Sequence, residues 1–131
     1  MHIPPTLRRH PRRMLLLDGA GALVSAFLSG VVLVRWHARV GIPPAVLYLL
    51  AAVALGLAAF DGCCYLSRRI RLPRALRTIA VLNVAYCALS LVLAAMHRDQ
   101  LLPLAYGYLG LECIIVGWLA RTEWKLASGL R

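Results

Sequence analysis

The sequence predicts an all-α protein: an antiparallel four-helix transmembrane bundle with both termini on one face of the membrane. Three observations lead there. Hydrophobic residues make up 61% of the 131 positions and charged residues 15%, whereas a soluble domain carries about 45–50% apolar and about a quarter charged residues. The apolar residues gather into four blocks, each near the ~20 residues that cross a bilayer as a helix. The net charge of +10 is concentrated in alternate connecting segments. A soluble enzyme, a disordered tail and a secreted disulfide scaffold are all poor fits to this composition. One four-span domain over residues 1–131 accounts for it.

The first span covers 14–34 and follows the basic arm RRHPRR. Asp18, Ala22, Ser25 and Ser29 fall on one helical stripe beside Ala26 and Gly30. The Ala22-xxx-Ala26-xxx-Gly30 spacing is of the kind that lets membrane helices approach closely. A basic arm before an apolar run also has the outline of a signal peptide. Asp18 interrupts that run and the apolar stretch continues to Val34, so a retained span is predicted.

The second span, 45–66, starts after Pro43-Pro44, and Asp61 shares a face there with Ala54, Ala58, Cys64 and Tyr65. Its run AAVALGLAAF lacks the two-residue alternation of a β-barrel strand. The third, about 76–96, follows Pro73 and aligns Asn83, Tyr86, Cys87, Ser90 and Ala94, leading out to His97. The fourth, 104–120, follows Pro103 and carries Ala105, Tyr108 and Glu112 on one stripe. It is short, and Trp118 and Trp124 extend it through the interface, where amphipathic rings sit well. Proline is tolerated in a first helical turn because its missing N–H would have no partner there. The connections at 35–44, 67–75 and 97–103 are short enough to make neighbouring helices antiparallel.

Orientation follows from the cations. Arg8, Arg9, Arg12 and Arg13 precede the first span; Arg68, Arg69, Arg71, Arg74 and Arg77 lie between the second and third; Arg121, Lys125 and Arg131 follow the fourth. The opposite side holds only Arg35, Arg39 and Arg98. The positive-inside bias places both termini in the cytoplasm, in a bacterial inner membrane. The basic charge then reports topology and contact with the anionic lipid bilayer. No folded basic surface remains for nucleic acid to bind.

Each span carries one strongly polar residue: Asp18, Asp61, Asn83 and Glu112. Carboxylates inside a bilayer cost about 2.5–3.5 kcal/mol each on insertion scales and face the bundle interior. At 1.5 Å per residue all four lie about 6–12 Å from the cytoplasmic ends of their spans, so one polar layer is expected. Together with the hydroxyls of Tyr65, Tyr86 and Tyr108 they form the candidate binding site. Three acids close together in an apolar bundle cannot all stay ionised, which suits a proton- or cation-handling site. Two plainer fates compete with this one. The polar atoms can serve as interhelical glue, and Asp18 and Asp61 can pair with Arg12, Arg13 or Arg68.

Cys63, Cys64, Cys87 and Cys113 all fall within spans, with no CxxC and no histidine at metal-ligand spacing, and read as small buried hydrophobes. His2 and His10 lie on the inner side, His37 and His97 on the outer. There is no Gly-rich phosphate loop, HExxH motif or assembled Ser-His-Asp set, so no catalytic residue, metal or cofactor is predicted.

The segments LLLDGAGALVSAFLSGVVL, GIPPAVLYLLAA, AVLNVAYCALSLVL and YGYLGLECIIVGWLA together resemble small uncharacterised bacterial four-span integral membrane proteins, over nearly the whole chain. That resemblance implies an inner-membrane four-helix protein and no particular activity. The Gly41-x-Pro43 turn after the first span is also similar to DoxX-like proteins, four-span proteins some of which accompany membrane redox enzymes.

Three functions are open on this reading. The first is a small proton, cation or small-solute binding or transport protein, alone or as a homodimer. The second is an accessory or structural subunit of a larger membrane complex. The third, implied by the DoxX resemblance, is a quinone- or thiol-linked redox protein.

Overall fold

The computed structural model describes residue 10, residues 12–67 and residues 71–129. Arg8, Arg9, His2, Arg68, Arg69 and Arg131, assigned above to the inner side, lie outside the described residues. Within them the chain is helical, with no strand, and four helices are long and apolar enough to cross a membrane: α1 (Arg13–Arg35), α2 (Pro44–Leu66), α3 (Leu72–Met96) and α4 (Pro103–Gly129). The chain is therefore a four-span membrane protein by length and composition.

Proline starts these helices as expected. Pro44 and Pro73 occupy the first turns of α2 and α3, and Pro103 opens α4. α1 and α2 pack closely on each other, as do α3 and α4, and the two pairs meet more lightly. At one end Arg12 on α1 donates a hydrogen bond to the Tyr65 carbonyl at the close of α2. At the other end, the Leu102 N–H donates to the Val40 carbonyl at 3.0 Å, joining the 36–43 connection to the 97–102 connection.

Gly41 makes that second junction. Its φ of +79° lies in the left-handed region, where a Cβ is penalised and glycine is not. The Gly41 N–H closes the one-turn helix His37–Val40 on the His37 carbonyl at 2.8 Å. A Cβ at this position would overlap the Gln100 carbonyl oxygen.

The core is a stack of three apolar clusters. Met14, Leu15, Leu76, Ile79, Leu119 and Leu126 fill the end near the chain termini. Ala26, Leu50, Ala54 and Tyr86 form the middle, and Val40, Ile42, Leu47, Leu101, Ala105 and Leu109 the far end. Elsewhere the large apolar side chains point outward: Phe27 is 58% exposed, Val84 58% and Ile114 71%. In water such a surface would be a severe aggregation liability. It is the expected surface of a helix bundle whose solvent is lipid tails.

Two local features depart from a regular bundle. α1 is interrupted by a π-helical turn over Leu28–Val32, a device that resets the helix face and recurs at functional sites. α4 continues beyond the span predicted at 104–120, reaching Gly129. Thr122, Glu123, Leu126 and Ala127 are buried, while Arg121, Trp124 and Lys125 are exposed. The helix therefore keeps an inward face beyond the first cation.

The small-residue seam of α1 is a real contact. A Cβ on Gly30 would sit 3.0 Å from the Cβ of Ala51 on α2. Gly30→Ala gains about 1 kcal/mol of helix propensity and loses a similar amount by crowding Ala51, so it is expected to be near neutral. Gly30→Leu has no such offset and is expected to lower stability by about 2 kcal/mol. Thermal unfolding of the two variants in detergent micelles checks the contrast, and equal melting would show that α1 and α2 are not in contact there.

Candidate functional site

Asn83 organises the inner polar group. It sits on α3, one turn beyond Ile79 and Ala80, which face the core. Its Nδ2 donates to Asp18 Oδ1 on α1 at 2.8 Å and to Glu123 Oε1 on α4 at 2.7 Å. Both amide hydrogens are thereby used. Asp61 on α2 completes the group beside Asp18, because a Cβ on Gly19 would come within 3.4 Å of the Asp61 Cβ and 3.9 Å of its Oδ2. All four side chains are withdrawn from the surface: Glu123 is 0% exposed, Asp61 1%, Asp18 3% and Asn83 5%. One oxygen on Asp61 and one on Glu123 have no hydrogen-bond partner among the described residues.

Of the arginines considered as partners for Asp18 and Asp61, Arg12 and Arg13 are placed elsewhere, and Arg68 lies outside the described residues. Arg12 is engaged with the Tyr65 and Ser67 carbonyls and lies over the Tyr65 ring, 5.5 Å from its centroid. Arg13 is exposed. Arg77 lies over the Trp124 ring at 5.5 Å. Tyr65 therefore anchors Arg12 at the end of α2 and is not among the residues around Asn83.

Glu112 forms a second polar group. On α4 it lies three turns from Glu123. Tyr86 of α3 and Tyr108 of α4 stand beside it, and the Cys87 thiol approaches the Cys113 carbonyl at 4.0 Å one residue further along each helix. The Tyr108 hydroxyl is 3.1 Å from Ser29 Oγ, in the π-helical turn of α1. Both Glu112 carboxyl oxygens, the Tyr86 hydroxyl and the nearby Ser90 hydroxyl are buried without a hydrogen-bond partner among the described residues.

The single polar layer expected from helical depth is thus spread along the bundle. Asp18, Asp61 and Asn83 converge with Glu123; Glu112 lies about 16 Å from Glu123 along α4 at 1.5 Å per residue, with Tyr108 and Ser29 near it, and Tyr86, one turn from Asn83 on α3, stands between the two. Depth estimates assume span ends that α4 does not respect. Sequence reasoning missed Glu123 because Arg121, Trp124 and Lys125 read as the close of the span. The available signal was spacing: Glu112, Leu119, Glu123 and Leu126 recur at intervals of seven, four and three, which is one helix face.

Two acids of the inner group accept from one amide and the third lies beside Asp18. No cluster of three or more His, Cys, Asp or Glu side chains is arranged to hold a metal ion among the described residues. The four cysteines are free thiols, with Cys63 exposed and Cys64 buried. No family model, curated protein or solved structure matches the chain, so its identification rests at a membrane protein of four spans.

Proposed function

We propose that the chain is a small proton-handling membrane protein that uses Asp18, Asp61 and Glu123, held by Asn83, as its proton-binding site. The observation that carries this is one amide donating to two buried carboxyls with a third alongside. Three carboxyls in an apolar bundle repel one another and lose their hydration, so the favourable arrangement shares protons among them. Such intramembrane acids mark proton or ion pathways in membrane proteins.

The same proposal includes an antiparallel bundle with both termini in the cytoplasm of a bacterial cell. The contacts of Arg12 with the end of α2, and of the two connections through Val40 and Leu102, support the up-down order. The cation asymmetry supports the orientation.

Infrared spectroscopy of the purified protein tests the site. The wild type is expected to show a protonated-carboxyl band at neutral pH that weakens in Asp61→Asn and again in Glu123→Gln. A protein with every carboxyl ionised at neutral pH would refute the reading. A cation-binding site would announce itself differently, by sodium or potassium displacing that band.

A second reading, as a homodimer or a subunit of a larger membrane complex, is favoured by the outer face of α4. Gly107, Gly110 and Gly117 lie close to one face of that helix with nothing within 4 Å of where a Cβ would be. Outward glycines are the means by which membrane helices approach a neighbour. Gly117→Leu is expected to weaken any such association in mild detergent, and a wild type that is monomeric and alone would exclude it.

A further inference from the structure

A small cavity lies between the two polar groups. Its volume is about 20 Å³, and Asp18, Ser25, Asn83 and Tyr86 line it together with apolar side chains that include Ala54 and Leu57. A cavity of roughly 10–15 Å³ or more accepts one water, provided polar partners are present. The Asp18 carboxyl, the Asn83 amide, the Ser25 hydroxyl and the unpartnered Tyr86 hydroxyl supply them. Tyr86 in turn adjoins Glu112, whose two carboxyl oxygens are buried with no hydrogen-bond partner among the described residues. Towards the far end a further pocket of about 10 Å³ is lined by Ser90 and His97 together with Ile42, Leu50, Leu93 and Leu101.

We propose that a water in this cavity and the Tyr86 hydroxyl connect the inner carboxyls to Glu112, making Glu112 a second proton-binding station on a path through the bundle. The inference rests on the reading that the inner carboxyls bind protons, and adds a route and a destination.

The transfer balances at every oxygen. A protonated Asp18 gives its proton to the water, the water passes one of its own to the Tyr86 oxygen, and Tyr86 gives its hydroxyl proton to a Glu112 carboxylate. Asp18 ends as the carboxylate and Glu112 as the acid; water and tyrosine are unchanged. The groups facing Tyr86 are Glu112 and Tyr108 from α4 and, across the cavity, Asp18 from α1. From α2 the apolar Leu50, Ala54 and Leu57 pack around it.

The test is proton flux into proteoliposomes driven by a potassium diffusion potential, with the protonated-carboxyl infrared band measured on the same preparations. The wild type is expected to conduct. Tyr86→Phe is expected to lower flux by about a hundredfold, the lower end of what a positioned proton donor contributes, while keeping the band of the inner carboxyls. Ser25→Val narrows the cavity without removing an acid or the tyrosine, and should lower flux in the same direction even if Tyr86→Phe proves unstable. Wild-type flux that survives both changes would overturn the route. A wild type with the infrared band but no flux would also overturn it and leave the inner site standing. Loss of the band in the wild type would instead bring down the proton-binding reading itself.

Discussion

Asn83→Leu is expected to make the bundle about 3 kcal/mol less stable at neutral pH, because a buried polar group left without its partner costs about 1–3 kcal/mol and this change strips two. Leucine is close to asparagine in size, so the loss is not a cavity effect. It arises because Asp18 and Glu123, 3% and 0% exposed, lose the only donor bonded to them among the described residues. A buried acid without a partner is costlier than an apolar side chain in its place. Adding Asp18→Asn to Asn83→Leu returns one amide to the cluster and removes one acid, and is expected to recover about 1 kcal/mol of the loss. Denaturant unfolding in mixed micelles measures both. An Asn83→Leu protein that unfolds with the wild type would mean that the amide does not hold the acids together.

Gly41→Ala is expected to cost a comparable amount, at a site away from the buried acids. The left-handed backbone at φ +79° penalises an L side chain by about 1–2 kcal/mol. The new Cβ would also overlap the Gln100 carbonyl oxygen and crowd the Leu102 nitrogen, each part of the opposing connection. Overpacking against backbone adds about 1–3 kcal/mol, so the total is expected near 3 kcal/mol. Gly41→Asn separates the two causes. Asparagine tolerates the left-handed region better than alanine does but carries the same Cβ, so a nearly full loss identifies the clash and a small one identifies the backbone. Thermal unfolding followed by circular dichroism is sufficient.

The membrane fold was legible because lipid imposes a length on every apolar block and proline marks where a block can begin. The four spans, the prolines of α2 to α4 and the Gly30 seam all follow from local rules of that kind. The candidate site was legible in part. An acid or amide in an apolar run is conspicuous whatever its partners are, so Asp18, Asp61, Asn83 and Glu112 stand out. Which of them meet depends on helix ends and on rotation about each axis, and two features obscure both. The π-helical turn of α1 alters which way Ser29 faces, and α4 overruns its apolar block by carrying Arg121, Trp124 and Lys125 on the outside. Glu123 belongs to that overrun. Tyr65 shows the converse: a correct face on α2 is no guide once Arg12 is there to engage it.

The lighter contact between the two helix pairs has a consequence for how the protein is made. Asp18 and Asp61 belong to the first pair, while Asn83 and Glu123 belong to the second. A nascent chain with only α1 and α2 in the bilayer therefore exposes two acids at about 2.5–3.5 kcal/mol apiece on insertion scales. It has no amide to receive them. The first half is a poor resident of the membrane until the second half arrives, so truncation after residue 67 should yield a product degraded during biogenesis. The two halves expressed as separate chains should rescue each other, because what each lacks is what the other carries across the seam.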